Sequence, residues 1–211
     1  MRKIAAILTL LTPFPAAAEV ELSFYGGAQS APHSDVIFEG DDVIPDDEIF
    51  VGWEGRSFSA PPYYGLRATW WRDARLGYGV DFTHSKVYAD ELPDGFDRLE
   101  FTDGLNTLTA NAYYRWPDGF AGATPYLGGG LGVTIPYVEV DYDESETRGY
   151  QIAGPAAVLL GGVSYPVDEN WSVFAEYKFS YVSLDADLET GGTVESDIIT
   201  NAINLGVSYS F

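Results

Sequence analysis

The last ten residues, AINLGVSYSF, place an apolar side chain at every second position. Ile203, Leu205, Val207, Tyr209 and Phe211 alternate with Asn204, Gly206, Ser208 and Ser210. A period of two belongs to a β-strand with two unlike faces, and it recurs along the chain. Val20, Leu22, Phe24 and Gly26 alternate with Glu21, Ser23, Tyr25 and Gly27. Tyr64, Leu66, Ala68 and Trp70 alternate with Gly65, Arg67, Thr69 and Trp71, and Leu76, Tyr78, Val80 and Phe82 with Gly77, Gly79, Asp81 and Thr83. The pattern returns in TLTANAYYRW, TPYLGGGLGVTIPYV, WSVFAEYKFSYVS and, less cleanly, AAVLLGGVSYPV. These runs predict eight strands. Sustained helical periodicity is absent.

Alternation alone also suits a β-sandwich or a soluble barrel, whose apolar face points inward. Four features favour a transmembrane barrel with a polar interior. The face opposite the apolar one carries Arg67, Asp81, Asn111, Arg115, Glu176 and Lys178, charges able to pair inside a narrow barrel. Trp and Tyr gather at strand ends, as aromatic girdles require. The connections alternate short and long, and the chain ends on a strand with Phe211. The fold expected is therefore all-β, an eight-stranded antiparallel transmembrane β-barrel. RDAR, PDGFAGAT and PVDEN are its short periplasmic turns. Long acidic extracellular loops would run roughly from 31 to 61, 89 to 104, 139 to 150 and 185 to 199. Eight strands enclose only enough room for side chains, which disfavours an aqueous pore.

Residues 1–18 have the layout of a signal peptide: Arg2 and Lys3, an apolar Ile4–Leu11, then Ala16-Ala17-Ala18. The barrel domain would then be 19–211, in the bacterial outer membrane. Of 11 Lys+Arg and 32 Asp+Glu, removal of two cations leaves 9 − 32 = −23. So acidic a chain is a poor partner for nucleic acid, which needs clustered cations. Cysteine is absent, so thiol and disulfide chemistry are excluded.

With the interior filled, a site must lie at the outer rim. His33 and His84 are the two histidines. His33 takes the inward parity of Tyr25 and Gln29 if the strand continues through Pro32, whereas His84 joins the outward set of Phe82 unless a bulge turns it. Two imidazoles with a carboxylate, here His33, Asp35 and His84, are a recognised set for a divalent or redox metal with open positions; their spacing is not a motif, and the alternative reading is that both histidines are rim residues hydrogen-bonded in loops. VGWEGRSFSAPPYYG reads either as a lid over a sugar, with Trp53 or Phe58 stacking and Glu54 and Arg56 as polar contacts, or as a self-packed Ω-loop. Glu100, Thr102, Asp103 and Asn106 form a further oxygen-rich cluster, with a simple turn at Asp103-Gly104 as the alternative. No serine stands at a sharp turn, and GGGLG lies within a strand, so neither serine-nucleophile nor phosphate-loop chemistry is indicated.

The segments ELSFYGGAQSAPHSDV, GWEGRSFSAPPYYGLRATWW, FTDGLNTLTANAYYRWP, TPYLGGGLG and NLGVSYSF resemble the outer-membrane lipid A oxidases of alphaproteobacteria. The barrel portions are shared with OmpA/OmpX-like proteins; PHSD, GWEG and PPYYG are the more specific parts. The resemblance implies oxidation of the proximal glucosamine of lipid A to 2-aminogluconate by O2, with release of hydrogen peroxide, and lipopolysaccharide of the outer leaflet as partner. It carries no residue-level assignment. The working site is catalytic and metal-binding His33, Asp35 and His84, with Trp53, Glu54, Arg56, Glu100 and Asp103 contacting substrate. A monomer inserted by the barrel-assembly machinery is expected. The competing class is a non-enzymatic barrel serving adhesion, envelope stability or resistance.

Overall fold

A computed structural model describes residues 19–101, 104–117, 119 and 121–211. The leader expected at 1–18, and with it the boundary at Glu19, lies outside these. Among the described residues twelve antiparallel strands form one sheet: β1 (Glu19–Glu39), β2 (Asp47–Glu54), β3 (Tyr64–Trp71), β4 (Leu76–His84), β5 (Val87–Ala89), β6 (Phe96–Phe101), β7 (Leu105–Arg115), β8 (Thr124–Tyr142), β9 (Ser145–Tyr150), β10 (Pro155–Pro166), β11 (Trp171–Asp187) and β12 (Thr193–Ser210). The pairings close a ring in the order β1–β3–β4–β7–β8–β10–β11–β12 and back to β1.

Twelve strands rather than eight is the main departure from the sequence. β2, β6 and β9 lie inside segments read as loops, β5 lies at the edge of another, and β1, β8, β11 and β12 run on into the rest. A change of pattern within single strands accounts for this. Along β11, Val173, Ala175 and Tyr177 are exposed while Glu176, Lys178 and Ser180 are buried. Nearer its C-terminal end the buried positions become Val182, Leu184 and Ala186, and Asp185 and Asp187 are exposed. β12 repeats this, with Ile203, Leu205 and Val207 exposed but Val194 and Ile198 buried beside exposed Glu195 and Asp197. Side-chain direction still alternates with the pleat. What changes is the surroundings: one half of the wall is apolar outside, and the other has an apolar core and a charged exterior.

That core includes Val36, Phe38, Leu99, Phe101, Val138, Val140, Leu184 and Ile198. The half near the turns is filled differently. Arg67 donates from Nη1 and Nη2 to both oxygens of Glu176 (2.8 and 2.9 Å) and from Nε to Asp81 (2.8 Å). Lys178 Nζ donates to Thr83 Oγ1 (2.6 Å), Tyr25 OH (2.8 Å) and Asp81 Oδ1 (3.1 Å), and the Tyr25 hydroxyl donates to Asp81 (2.7 Å). This is the interior network expected from Arg67, Asp81, Glu176 and Lys178. Arg115 stands apart at the turn end, paired with Glu19 at 2.7 Å. Glycines make room for the inward rings: a Cβ on Gly65 would lie 2.0 Å from the Tyr25 ring, and one on Gly206 2.4 Å from Phe174. On the turn side of the network a cavity of about 530 Å³ remains, lined by residues including Glu21, Arg67, Trp71, Tyr113 and Phe174.

Candidate functional site

The wall is irregular at one place. β1 follows β3 from Glu19 to Gly26, then takes β2 as its partner from Ala31 onward. Its register with β12 slips between Ser30 and Val36, and with β2 between Ala31 and Ser34. A bulge of this kind puts two residues opposite one and reverses which way the next side chains point. The segment between β2 and β3 fills the gap left where β1 parts from β3.

Hydrogen bonds hold that segment against the bulge. Gln29 N donates to Ser57 Oγ (2.8 Å), whose hydroxyl returns a bond to Gln29 O (3.2 Å). Gln29 Nε2 reaches Lys86 O (2.5 Å) and Gly55 O (3.4 Å). Tyr63 N donates to Ser57 O (2.8 Å), and Lys86 Nζ to Ser59 O (3.0 Å). The Trp53 indole N–H donates to Ser34 Oγ (2.8 Å). Arg56 lies 4.2 Å from the centre of the Tyr88 ring and pairs with Glu54 at 3.0 Å. Of the segments that carry the more specific resemblance, PHSD meets GWEG through Ser34 and Trp53, and the loop that leads on to PPYYG is tied to Gln29 through Gly55 and Ser57.

The bulge corrects the expectation for His33. It turns the ring outward, where it stacks on exposed Phe50 at 5.4 Å. Asp35 is also exposed, and its carbonyl accepts from Ser196 Oγ (2.8 Å). His84 keeps its outward parity without a bulge. It pairs across the strands with Tyr64, stacks on that ring at 5.1 Å and shares a 2.8 Å hydrogen bond between Nδ1 and Asn106 Oδ1. Yet it is buried, unlike His33 and Asp35. Among the described residues no three His, Asp or Glu side chains converge to hold a metal ion. The set His33–Asp35–His84 is thus not gathered as a metal centre, because the bulge sends its first two members to the open surface.

The other expected contacts are spread over the same half. Trp53 is buried against Phe101 (6.1 Å), so it braces the wall rather than offering a face, while Phe58 is 83% exposed. Glu54 and Arg56 are half-exposed. Glu100 belongs to another group: Arg98 contacts Glu100 (2.7 Å), Asp141 (3.3 Å) and Glu139 (3.5 Å). Burial pushes the Glu100 carboxyl up, with Glu139 adding to the rise and Arg98 opposing it. Asp103 and Thr102 lie outside the described residues. Sequence reasoning missed Gln29, Ser57 and Lys86, which organise the site. Their only signal was proximity to unusual segments, since β1–β2 pairing was not foreseen.

The sequence matches the model of the outer membrane protein β-barrel domain over residues 4–211. The chain belongs to that family. Its place is the bacterial outer membrane, so the apolar outer belt of the ring meets lipid. Solved structures with a similar fold include Neisserial surface protein A (20% identity, 92% of this chain and 96% of that one, TM-score 0.50). OprG from Pseudomonas aeruginosa (14%, 92% and 96%, 0.53) and AlkL in DMPC lipid bilayers (12%, 97% and 97%, 0.54) are similar in the same way. At these identities the likeness concerns the fold. No curated protein matches the sequence significantly.

Proposed function

We propose that this outer-membrane barrel, whose eight ring strands cross the membrane, oxidises the proximal glucosamine of lipid A to 2-aminogluconate with O2. The observation that supports the reading is the meeting of PHSD, GWEG and the 55–63 loop at one bulge in the outer half of the wall. A barrel needs none of those contacts for closure. In the reaction, two electrons and two protons leave the anomeric C–H and O–H for O2. The products are a lactone and hydrogen peroxide, and water opens the lactone to the acid.

His84 is the base candidate of this reading. It is buried beside Asn106 with the outward parity of its strand, and a neutral imidazole can accept a proton at a ring nitrogen. Arg56, with Glu54, is placed to contact phosphate or sugar hydroxyls. Trp53, Gln29 and Ser57 act as positioning residues. His33 and Asp35, at the surface, are left for contact with headgroup. The donor set for a metal is not assembled by the described residues, so no step is routed through one.

The test is incubation of purified protein with lipid A and O2, followed by mass spectrometry for one added oxygen on the proximal sugar and by peroxide detection. His84→Ala and Arg56→Gln should lower both signals. No product, with or without added divalent metals, rejects the oxidase. A second reading would then stand, favoured by the outer half being a packed β-structure with its own apolar core: a rigid surface platform that binds without chemistry.

A further inference from the structure

The outer surface of β3, β4, β7 and β8 carries a groove of about 780 Å³, well away from the bulge. Cross-strand register defines its shape. The row nearer the turns is Trp70–Tyr78–Ala112–Gly129, and the next is Ala68–Val80–Ala110–Leu131. Ala110, Ala112 and Gly129 form a low floor, with Trp70, Tyr78 and Val80 as one wall and Leu131 as the other. One row closer to the turns stands Tyr114, opposite Leu76 and Leu127. Its hydroxyl accepts from Arg75 Nη1 at 3.0 Å. A cation is thus fixed directly below an apolar groove, at the level of the aromatic belt formed by Trp70, Tyr114 and Trp116.

The cations at this end are available. Ion pairs among the described residues are made by Arg56, Arg67, Arg98, Arg115, Arg148 and Lys178, not by Arg72 or Arg75, and both of these are exposed. Asp73 lies between them, but its Oδ1 accepts from the backbone of Arg75 (2.8 Å) and Leu76 (2.9 Å) and fixes the turn. The β3–β4 turn keeps a net charge of +1 in a chain whose formal charge is −21. Short turns of such barrels face the periplasm.

We propose that this wall binds one anionic phospholipid of the periplasmic leaflet, with its phosphate at Arg72 and Arg75 and an acyl chain in the groove over Ala112 and Ala110. Charge complementarity and continuity with the lipid-facing belt select this occupant. A second copy of the chain would bring its own Arg72 and Arg75 to a matching patch and repel.

The test is native mass spectrometry of the full protein in mild detergent with equimolar phosphatidylglycerol and phosphatidylethanolamine. One phosphatidylglycerol should be retained over phosphatidylethanolamine by about fivefold or more, given the attraction of basic residues to an anionic headgroup. Arg72→Gln/Arg75→Gln should abolish the preference, and Ala110→Leu/Ala112→Leu should reduce retention of both lipids. Arg148→Gln, in the other half, should change neither. Should the leucine pair not fold, Ala112→Val alone makes the same prediction to a smaller degree. Equal retention of the two lipids, an unchanged preference in the arginine variant, or a dimer that the leucine variant dissolves would overturn the proposal. None of these readouts involves oxidation, so the outcome is separate from that of the oxidase assay.

Discussion

Replacing Glu176 by Ala tests whether the interior network is held together against a dry or a wet barrel. Glu176 accepts from Nη1 and Nη2 of Arg67, from Tyr126 OH (3.0 Å) and from Asn204 Nδ2 (3.3 Å). Its side chain is fully buried and that of Arg67 is 5% exposed. Removal leaves two cations, Arg67 and Lys178, sharing Asp81 alone. Breaking one partner of a buried pair costs about 3–5 kcal/mol, a large part of a typical stability of about 5–15 kcal/mol. One effect works against this. The 530 Å³ cavity is lined by Arg67, Tyr126 and Phe174, and water entering from it would hydrate the abandoned guanidinium. Urea unfolding in lipid vesicles, followed by tryptophan emission, measures the cost through the midpoint, with an unchanged slope showing that the folded state is intact. Arg67→Met/Glu176→Met should recover much of the loss, since it leaves no unpaired charge from this pair. A Glu176→Ala cost below about 1 kcal/mol, the range of a surface pair, would refute the dry-network reasoning.

Gly154 joins β9 to β10 at φ 130°, where an added Cβ would lie 2.1 Å from Ser183 O; Gly154→Ala should cost more than about 1 kcal/mol, read as a lowered unfolding midpoint. Burial alone would raise the Asp41 carboxyl, but hydrogen bonds from Ile44 N, Thr190 and Val43 N outweigh it and hold its pKa down. A depressed carboxylate stabilises above its unfolded pKa and loses that contribution as pH falls through the folded one. Amide exchange at Val43 and Ile44 should therefore speed up, relative to intrinsic rates, only below the ordinary aspartate range; unchanged protection there would contradict the assignment. Ser57→Ala removes both bonds to Gln29 and should loosen the 55–63 loop by about 1 kcal/mol, seen as faster proteolysis after Arg56. The two fillings of the interior predict no steady conductance in a planar bilayer, and open-channel currents would count against them.

How much of this was legible depended on where the surroundings of a strand change. Leu76 to Phe82 and Ile203 to Phe211 lie wholly in the apolar belt, so their alternation had one phase and read correctly. The interior charges were legible for the same reason: Asp81, Glu176 and Lys178 stand at positions where the opposite neighbours are apolar, and only an inward face can pair them. Beyond the belt, Glu195, Asp197, Asp185 and Asp187 occupy the outward positions that Val207 and Val173 occupy within it. The polar residues then look like a loop, although the inward set Val194, Ile198, Leu184 and Ala186 continues the strand.

A different interruption, a slip of register, hid the site. Extending the parity of Tyr25 and Gln29 puts His33 inward, but β1 exchanges β3 for β2 and slips by a bulge within the stretch from Ala31 to Ser34 that contains His33. A bulge is set by which strand pairs with which, and the β2 segment IFVGWE shows that pairing only in three dimensions. Gln29 itself illustrates the limit. Its side chain spans from Gly55 to Lys86, residues 26 and 57 positions away, and nothing within a window around Gln29 encodes either contact. The unusual composition of GWEGRSFSAPPYYG did mark where such long-range contacts converge. For a chain of this kind, the segment that departs from alternation is therefore the better guide to the site, and parity becomes useful for it only once the partner of each strand is known.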